Sequence, residues 1–313
     1  MRGRAVNVCV LGGSGFVGTE LVTQLVRAGH WVRVPTRNLA HAERLRVLDT
    51  AELRLANVHE PRVLSQLFVD CDAVINLIGI LNPHGAATFD AVHTQLAAKV
   101  IAAARGAGVR RLLQMSALGA DEHAPSRYLR SKAAAEALLR TVPHAESAHP
   151  ALTVLRPSVI FGAGDSLTNR FAALLRLGAG WLPLARASAR FAPISVLDVA
   201  DAFVRALGEH GTCGATFELC GPEVMTLEQI VRLTARVAEL PCHIVRLPDT
   251  LARLQGMLMG LLPGKPFSLD NFRSLTVDCV CRENGCAALG IKPRPLLAEL
   301  PLYLSPSAAT LLA

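Results

Sequence analysis

The segment LGGSGFVG, residues 11–18, is rich in glycine and joins a predicted strand to a predicted helix. It follows the β-branched run AVNVCVLG (5–12) and opens the helical pattern GTELVTQLVRAG (18–29), and its glycines are spaced G-x-x-G-x-x-G. Glycine lets the backbone turn tightly against a pyrophosphate, and the following helix N-terminus presents free N–H groups to that anion. The loop therefore predicts a dinucleotide site. The residues expected to form it are Gly12, Gly13, Ser14, Gly15, Phe16, Val17 and Gly18.

Short β-branched runs alternate with Ala- and Leu-rich helical stretches through the first half of the chain. That alternation is typical of a parallel sheet wrapped by helices. We expect an α/β fold, namely a Rossmann-type doubly wound parallel sheet with a smaller C-terminal lobe. Residues 1–160 would form the dinucleotide-binding domain, with returning segments at about 190–222. Residues of about 161–189 and 223–313 would form the small lobe that meets a substrate or a partner.

The end of the second predicted strand (30–37) indicates which dinucleotide binds. A pocket for NAD usually places an Asp there to bind the ribose 2′-hydroxyl, whereas this chain has Thr36 followed by Arg37. Because a guanidinium can clamp a 2′-phosphate, the pattern favours NADP(H) over NAD(H). The alternative is that Arg37 is only a solvated surface charge. The adenosine side of the pocket would be lined by Asn57, Val58, Leu77, Ile78 and Gly79.

The stretch SRYLRSKAA (126–134) places Tyr128 and Lys132 one helical turn apart on one face. The chain contains two Tyr and four Lys, so this pairing is not easily an accident. It is either a working acid/base device or an inherited part of a cofactor pocket. A compact ammonium suits ribose hydroxyls in both cases. Backbone groups from Pro157 to Ile160, after the sixth predicted strand (151–162), would meet the carboxamide end of a nicotinamide.

Composition narrows the class of protein. A hydrophobic fraction of 51% and a charged fraction of 18% exclude a disordered chain. The net charge of +7 comes from basic residues that are spread throughout the chain, with only 4% aromatic residues among them. We therefore expect no nucleic-acid binding. A phosphorylated cofactor, an anionic membrane or an acidic partner protein explains the charge as well.

The cysteines and the longest apolar run bear on the cellular setting. CVCRENGC (279–286) has a metal-like Cys-x-Cys-x4-Cys spacing, but it supplies three ligands without a nearby His, so we expect no metal site. No signal peptide precedes the strand that begins by Ala5, which predicts a reduced cytoplasmic setting. LARLQGMLMGLLPG (251–264) is too short to span a bilayer. It is a core helix, a partner-docking surface or a membrane-interface segment.

Taken in order, these motifs resemble the short-chain dehydrogenase/reductase superfamily, in its extended or atypical branch, over nearly the whole chain. The segments that carry the resemblance are GGSGFVG, DAVINLIG, QMSALGA, YLRSK, LRPSVIFGAGD and APISVLDVADA. SRYLRSKAAAE, RPSVIFGAGDSLTNRFA and the ending LGIKPRPLLAELPLYL (289–304) are similar to the NADPH-binding accessory-subunit family of mitochondrial respiratory complex I, which has bacterial homologues. This resemblance implies a Rossmann fold with a tightly held NADP(H). It does not imply turnover, because the mitochondrial relative is regarded as structural.

The resemblance also implies roles for individual residues. If the chain is an enzyme, Tyr128 exchanges a proton with the substrate, and Lys132 lowers the pKa of that phenol and binds the nicotinamide ribose. Ser116 would hold the substrate carbonyl. Two departures weaken this interpretation. Extended members tend to have two successive hydroxyl residues where this chain has Ser116 and Ala117, and an Asn of the preceding helix is replaced at about His93, which is either a polar relay or a packed residue.

Three functions remain open from the sequence. The first is a structural or weakly catalytic NADP(H)-binding protein that docks on a respiratory-complex or other membrane-associated partner. The second is a free NAD(P)-dependent reductase or epimerase/dehydratase that acts on a carbonyl compound or a sugar nucleotide. The third is a sensor of the NADP/NADPH ratio. We expect the protein in the cytoplasm, either free or peripheral on the cytoplasmic face of the inner membrane, with an unknown small-molecule substrate if it turns over.

Overall fold

A parallel sheet of seven strands forms the centre of the molecule. The computed structural model describes residues 5–141, 150–261 and 267–305. Within those ranges the strands are β1 (Asn7–Leu11), β2 (Trp31–Thr36), β3 (Ala51–Leu55), β4 (Ala73–Asn76), β5 (Arg111–Met115), β6 (Ala151–Pro157), β7 (Ile160–Phe161), β8 (Trp181–Ala185), β9 (Arg190–Phe191), β10 (Ile194–Ser195), β11 (Thr216–Leu219), β12 (Met225–Thr226) and β13 (His243–Leu247). The order in the sheet is β3-β2-β1-β4-β5-β6-β11, with parallel neighbours throughout. The predicted Rossmann-type sheet is confirmed.

Helices cover both faces of the sheet. In the described ranges they are α1 (Phe16–Arg27), α2 (Pro61–Leu67), α3 (Leu96–Gly106), α4 (Arg127–Arg140), α5 (Thr168–Leu177), α6 (Val196–Gly208), α7 (Leu227–Val237), α8 (Asp249–Met259), α9 (Leu269–Ser274), α10 (Leu296–Glu299) and α11 (Pro301–Leu304). Side chains alternate along a strand, so β1 sends Val8 and Val10 into the core under α1 and α6, and Cys9 and Leu11 into the core under α2 and α3. The strand order reverses between β1 and β4, which is where ligands of open α/β sheets bind.

A second apolar core lies beyond the sheet. It is built from α5, β8, α7, β13 and the helices α8 to α11, which we call the lobe. Strands β8 and β13 pair in parallel, and Leu175, Leu182, Ile230 and Leu300 are among the buried side chains between these elements. The smaller C-terminal lobe that the sequence predicted is therefore present.

Polar contacts join the lobe to the sheet domain, and two of them lie at the start of α6. Arg294 places its Nη1 2.5 Å from Oδ1 of the buried Asp198 at the start of α6. The Ser195 hydroxyl donates to Oε2 of Glu299 at 2.8 Å. Because Asp198 is a buried carboxylate, losing Arg294 would leave its charge uncompensated. These contacts hold the lobe in its position against the sheet domain.

A disulfide links Cys220, just after β11, to Cys281. Nδ2 of Asn284 donates to the Cys220 carbonyl at 2.8 Å, which holds the same connection. The structure thus differs from the expectation of reduced thiols, and it uses one cysteine of the 279–286 spacing in a disulfide. Among the described residues, no group of three or more His, Cys, Asp or Glu side chains is placed to hold a metal ion.

The apolar run 251–264 forms most of α8, with residues 262–264 outside the described ranges. Only Ala252 and Gly256 of this helix are buried, whereas Leu251, Leu254 and Leu258 are exposed. The interpretation of residues 251–264 as a core helix is therefore wrong for α8, because its large apolar side chains are exposed. No helix in the part of the chain that the structure describes is long and apolar enough to cross a bilayer.

Candidate functional site

The glycine loop between β1 and α1 is shaped by close backbone contacts. Gly12 has a φ of +81°, which favours glycine, and a Cβ on Gly18 would overlap the Gly12 carbonyl. A Cβ on Gly13 would meet Val34, so this glycine serves packing behind the loop. Gly15 is the N-cap of α1; no side chain caps the helix and no acidic residue lies in its first turn. The N-terminus of α1 is therefore available to an anion.

Thr36 ties the end of β2 to the glycine loop. Its buried hydroxyl donates to the Asn38 carbonyl at 3.0 Å and lies 3.3 Å from the Ser14 hydroxyl. Since the Thr36 proton is used on Asn38, Ser14 is the donor in the contact between the two hydroxyls. This arrangement places a neutral hydroxyl pair at the position where an NAD pocket usually has a carboxylate.

Basic side chains surround the same end of the cavity. Arg37, His41 and His59 all line it. Burial lowers the pKa of His59, and the positive charges of Lys99 and Arg37 lower it further. A bound anion would be stabilised by this positive potential and would raise the pKa of His59 in return.

The helix that carries the Tyr-x-x-x-Lys pair is capped from two sides. The Ser126 hydroxyl accepts from the Leu129 N–H at 3.2 Å, which satisfies one free donor of α4. Asp270, on α9 of the lobe, accepts from the Arg127 N–H at 2.7 Å and from the Tyr128 N–H at 3.0 Å. The lobe therefore positions the first turn of α4.

Lys132 is buried beneath the cavity floor. Its Nζ donates to the Met115 carbonyl at 3.3 Å, and a Cβ on Gly79 would come within 3.0 Å of that nitrogen. Burial lowers the pKa of Lys132 to about 8, although the charge of Glu136 acts in the opposite direction. Glu136 is itself held by Arg156, whose Nε donates to Oε1 of Glu136 at 2.8 Å. Two ammonium protons remain for a ligand such as a ribose.

His93 connects the loop after β4 to α4. Its Nε2 accepts from the Ile80 N–H at 3.0 Å, so the proton of the neutral ring lies on Nδ1 and is donated to the Ser131 hydroxyl at 2.7 Å. Ser131 in turn donates to the Tyr128 carbonyl at 2.7 Å. Burial, followed by the charge of Lys132, lowers the pKa of His93 to about 3. His93 is thus a neutral packing and hydrogen-bonding residue, which favours the packed alternative over the polar relay.

Tyr128 and Ser116 both line the cavity, and so does Ala117. Within the described residues, the Tyr128 hydroxyl has no protein partner, and the buried Ser116 hydroxyl has none either. Burial raises the pKa of Tyr128, and Cys279 raises it further, so the phenol stays protonated at neutral pH. The expected lowering of this pKa by Lys132 is absent, which is a correction to the sequence-based picture. Two hydroxyls are left ready to bond a ligand.

These residues share one cavity of about 1040 Å³ that runs from the glycine loop past Tyr128 into the lobe. The lining includes most residues predicted from the sequence: Gly12, Ser14, Gly15, Phe16, Val17, Gly18, Thr36, Arg37, Val58, Leu77, Ile78, Gly79, Ser116, Tyr128, Lys132, Pro157 and Ile160. Gly13 and Asn57 lie outside it; Nδ2 of Asn57 donates to Oε1 of Glu60 at 2.8 Å. The roles of the lining residues in binding remain predictions.

The family model described as NAD(P)H-binding matches residues 12–210, which span the glycine loop, the Tyr–Lys helix and most of the sheet. The chain belongs to this NAD(P)H-binding family. The resemblance predicted from the SRYLRSKAA segment is confirmed as well. The chain is 31% identical over 292 residues to NADH dehydrogenase [ubiquinone] 1 alpha subcomplex subunit 9, mitochondrial, of Arabidopsis thaliana, a match that covers 88% of this chain and 71% of that protein.

Other relatives of this NAD(P)H-binding protein carry different names. A ceramide reductase of Caulobacter vibrioides is 30% identical over 244 residues, which is 77% of this chain and 74% of that protein. Among solved structures, the UDP-glucose 4-epimerase of Thermotoga maritima superposes on this protein with a TM-score of 0.75 at 17% identity. The superposition covers 97% of this chain and 99% of the epimerase chain. At that identity the structural likeness shows the fold alone.

The residues present in this NAD(P)H-binding protein fit a dinucleotide. A Cβ at Gly18 would clash with the Gly12 carbonyl, so only glycine lets the loop pack this closely on α1. The N-terminus of α1 has no side-chain cap, and the buried Ser116 hydroxyl has no hydrogen-bond partner among the described residues. Sequence reasoning missed His41 and His59, although both follow strand ends at the carboxyl edge of the sheet, where ligands bind. It also missed the lobe residues of the cavity, for which no local motif exists.

Proposed function

We propose that this protein holds NADP(H) in preference to NAD(H). The observation that carries the proposal is the composition of the adenosine end of the cavity, where Arg37, His41 and His59 meet and where the described lining contains no Asp or Glu. A 2′-phosphate adds up to two negative charges, which this surface stabilises and a carboxylate would repel. The adenosine ribose would lie near the Ser14 and Thr36 hydroxyls, and Lys132 would bind the nicotinamide ribose.

The test is the ratio of dissociation constants for NADPH and NADH. We expect NADPH to bind at least about tenfold more tightly, because one charge-assisted pair contributes roughly 1.5–3 kcal/mol. Arg37→Gln should remove most of that ratio and leave NADH binding unchanged. Arg105→Gln, an exposed arginine of α3 outside the cavity, is the matched control for net charge. Equal affinity for both cofactors in the unmodified protein would refute the preference.

We also propose that the protein docks on a membrane-associated partner of the respiratory-complex type. Leu251, Leu254 and Leu258 form an exposed apolar stripe on α8, at spacings of three and four residues. Relatives are named as subunits of NADH dehydrogenase, which supports this kind of partner. The protein would then be peripheral on the membrane rather than free. Leu254→Glu should abolish recovery in the membrane fraction with the NADH dehydrogenase, whereas Leu302→Glu, on exposed α11, should not.

A second candidate function is reduction of a carbonyl compound. It is favoured by one observation: Ser116, Tyr128 and Lys132 line a cavity that continues beyond Tyr128 instead of ending there. The bound nicotinamide would supply hydride. Tyr128 would give its phenol proton to the carbonyl oxygen, and Ser116 would hold that oxygen. The raised pKa of Tyr128 suits this proton donor better than a base for the oxidation.

The variant Tyr128→Phe distinguishes a protein that reduces a carbonyl compound from one that only holds NADP(H). NADPH binding should persist in both cases, because the phenol is not needed to hold the cofactor. If the protein is a reductase, NADPH consumption with carbonyl substrates falls by about 10²-fold or more. If the cofactor is only held, the unmodified protein and the variant show the same negligible consumption.

A further inference from the structure

The part of the cavity beyond Tyr128 differs in chemistry from the cofactor end. Here α5, β8, α8 and α9 contribute the walls, and most of their side chains are apolar. The apolar lining residues of the lobe are Leu167, Phe171, Leu174, Leu177, Trp181, Leu182, Pro183, Leu184, Ala185, Phe191, Leu227, Met259, Phe267 and Leu275. A concave surface of this composition is suited to an apolar ligand, with few polar groups to orient it.

The N-terminus of α5 argues against a nucleotide sugar in this half of the cavity. Arg170 is the only charged side chain among its described lobe residues. The N-terminus of α5, a natural place for a phosphate, is already occupied by the buried carboxylate of Asp165, which accepts from the Leu167 N–H at 2.8 Å and the Thr168 N–H at 2.7 Å. A nucleoside diphosphate would bring two or more negative charges next to that carboxylate.

The outer end of this half is also apolar. Leu177 and Trp181 line the cavity and are 86% and 61% exposed to solvent. The cavity therefore reaches the surface between large apolar side chains. Met259, at the end of α8, lines it too, and Met257 and Leu258 beside it are exposed. A water-insoluble molecule could enter here without crossing a polar rim.

We propose that the lobe half of the cavity binds the aliphatic chain of an uncharged lipophilic molecule whose carbonyl or hydroxyl group lies at Tyr128 and Ser116. The chain extends along α5 and β8 towards Leu177 and Trp181. Two classes of lipophilic ligand carry such an aliphatic chain: those with a straight acyl chain and those with a branched prenyl chain. Binding needs no turnover, so this inference goes beyond the proposed function and stands or falls independently of it.

Binding of methyl ketones in the presence of NADP⁺, where no hydride is available, tests the proposal. Dissociation constants are measured by calorimetry for 2-heptanone, 2-nonanone, 2-undecanone and 2-tridecanone. We expect affinity to rise along the series, by up to about fourfold per methylene, because each methylene leaves water. UDP-glucose in excess should not displace 2-tridecanone. Affinity that is independent of chain length, or displacement by UDP-glucose, would overturn the proposal.

Variants of the lobe test where the aliphatic chain of the ligand binds. Leu174→Trp should weaken 2-tridecanone binding at least tenfold and 2-heptanone binding little, because the bulk blocks the lobe half alone. Leu174→Gln, which keeps the size but adds polarity, should act in the same direction if the tryptophan variant misfolds. Leu302→Trp, on exposed α11, is the control, and unchanged NADPH affinity reports an intact fold. Equal effects of Leu174→Trp on both ketones would contradict this placement.

Geranylacetone, a prenyl ketone with the carbon count of 2-tridecanone, distinguishes the two sources. Comparable affinities support an unselective aliphatic site. A tenfold or greater preference for one ketone also supports the subsite, and it shows whether the site selects straight acyl or branched prenyl chains. If neither ketone binds while NADPH does, the chain-binding subsite is refuted and the cofactor site is untouched.

Discussion

Oδ2 of Asp270, on a helix of the lobe, accepts a hydrogen bond at 3.0 Å from the backbone N–H of Tyr128, on the helix that lines the cofactor end of the cavity. The lobe and the Tyr–Lys helix are therefore joined at Tyr128, the proton donor of the proposed carbonyl reduction. Asp270 touches no ligand position itself; it is a positioning residue. A movement of the lobe would be transmitted to Tyr128 through this carboxylate.

Replacing Asp270 by Ala should destabilise the protein by about 1 kcal/mol, because the first turn of α4 loses one of its two caps while Ser126 keeps the other. The same change should weaken NADPH binding several-fold, since Tyr128 lies on the displaced first turn and Lys132 follows it one turn later. Chemical denaturation and calorimetry measure the two effects. Asp249→Ala, which removes an exposed ion pair with Arg186 in the same lobe, is the control and should leave NADPH affinity alone. An unchanged NADPH affinity in Asp270→Ala would rule out the coupling.

Replacing Lys132 by Met should stabilise the protein without cofactor at neutral pH. The pKa of Lys132 is about 8 in the folded protein and near 10.5 when unfolded, so the unfolded chain binds more protons between these values. The buried ammonium therefore costs up to roughly 3 kcal/mol below pH 8, and the cost disappears as the pH rises from 8 to 10.5.

Urea unfolding at pH 7 and pH 10 checks this pH dependence. The advantage of Lys132→Met over the unmodified protein should shrink at pH 10, and its NADPH affinity should be lower at both pH values. Lys292→Met, at an exposed position, should change neither quantity. A pH-independent difference would mean that packing, not the buried charge, separates the two proteins.

Replacing His93 by Ala should destabilise the protein more than Ser131→Ala does. The histidine change leaves the Ile80 N–H without its acceptor, at roughly 1–3 kcal/mol, and removes the ring that packs against Phe89 and Tyr128. The Ser131 hydroxyl keeps its hydrogen bond to the Tyr128 carbonyl. Because the pKa of His93 is about 3, its ring is neutral above about pH 4. NADPH affinity measured from pH 5 to 8 should thus titrate identically with and without His93. A lost titration step in His93→Ala would make the residue a proton relay after all.

Reduction of the disulfide between Cys220 and Cys281 should lower stability by about 2–4 kcal/mol, since it closes a loop across 61 residues. Thermal unfolding with and without dithiothreitol measures the change. The double variant Cys220→Ser, Cys281→Ser should match the reduced protein and ignore the reductant. If the reductant lowers the melting temperature of the double variant equally, other groups cause the loss.

The sequence predicted the sheet well because its strands and glycine loop are local patterns. Residues 5–12, 30–37 and 151–162 each contain the observed strand, and SRYLRSKAA was correctly placed at the start of a helix. One local feature was not anticipated: a wider π-helical turn at Asp90–Gln95, which holds His93, leads into α3. Such turns depend on tertiary contacts, here those with Ile80 and Ser131.

The lobe could not be predicted in the same way. Strand β8, with the sequence WLPLA, contains a proline and forms only because β13 pairs with it from about sixty residues later. The bond from Asp270 to Tyr128 spans 142 positions, and the disulfide joins cysteines that no spacing rule connects. The cavity beyond Tyr128 is likewise assembled from segments that lie far apart in the sequence. None of these features leaves a local signal in the sequence.

The identity of the nucleotide that copurifies with the protein tests whether the chain holds NADP(H). Native mass spectrometry of the purified chain, followed by denaturation and analysis of the released ligand, measures it. We predict NADP⁺ or NADPH at close to one per chain, and its loss in Arg37→Gln. Release of NAD⁺ or NADH, or a chain that carries no nucleotide and binds neither cofactor on addition, would contradict the account.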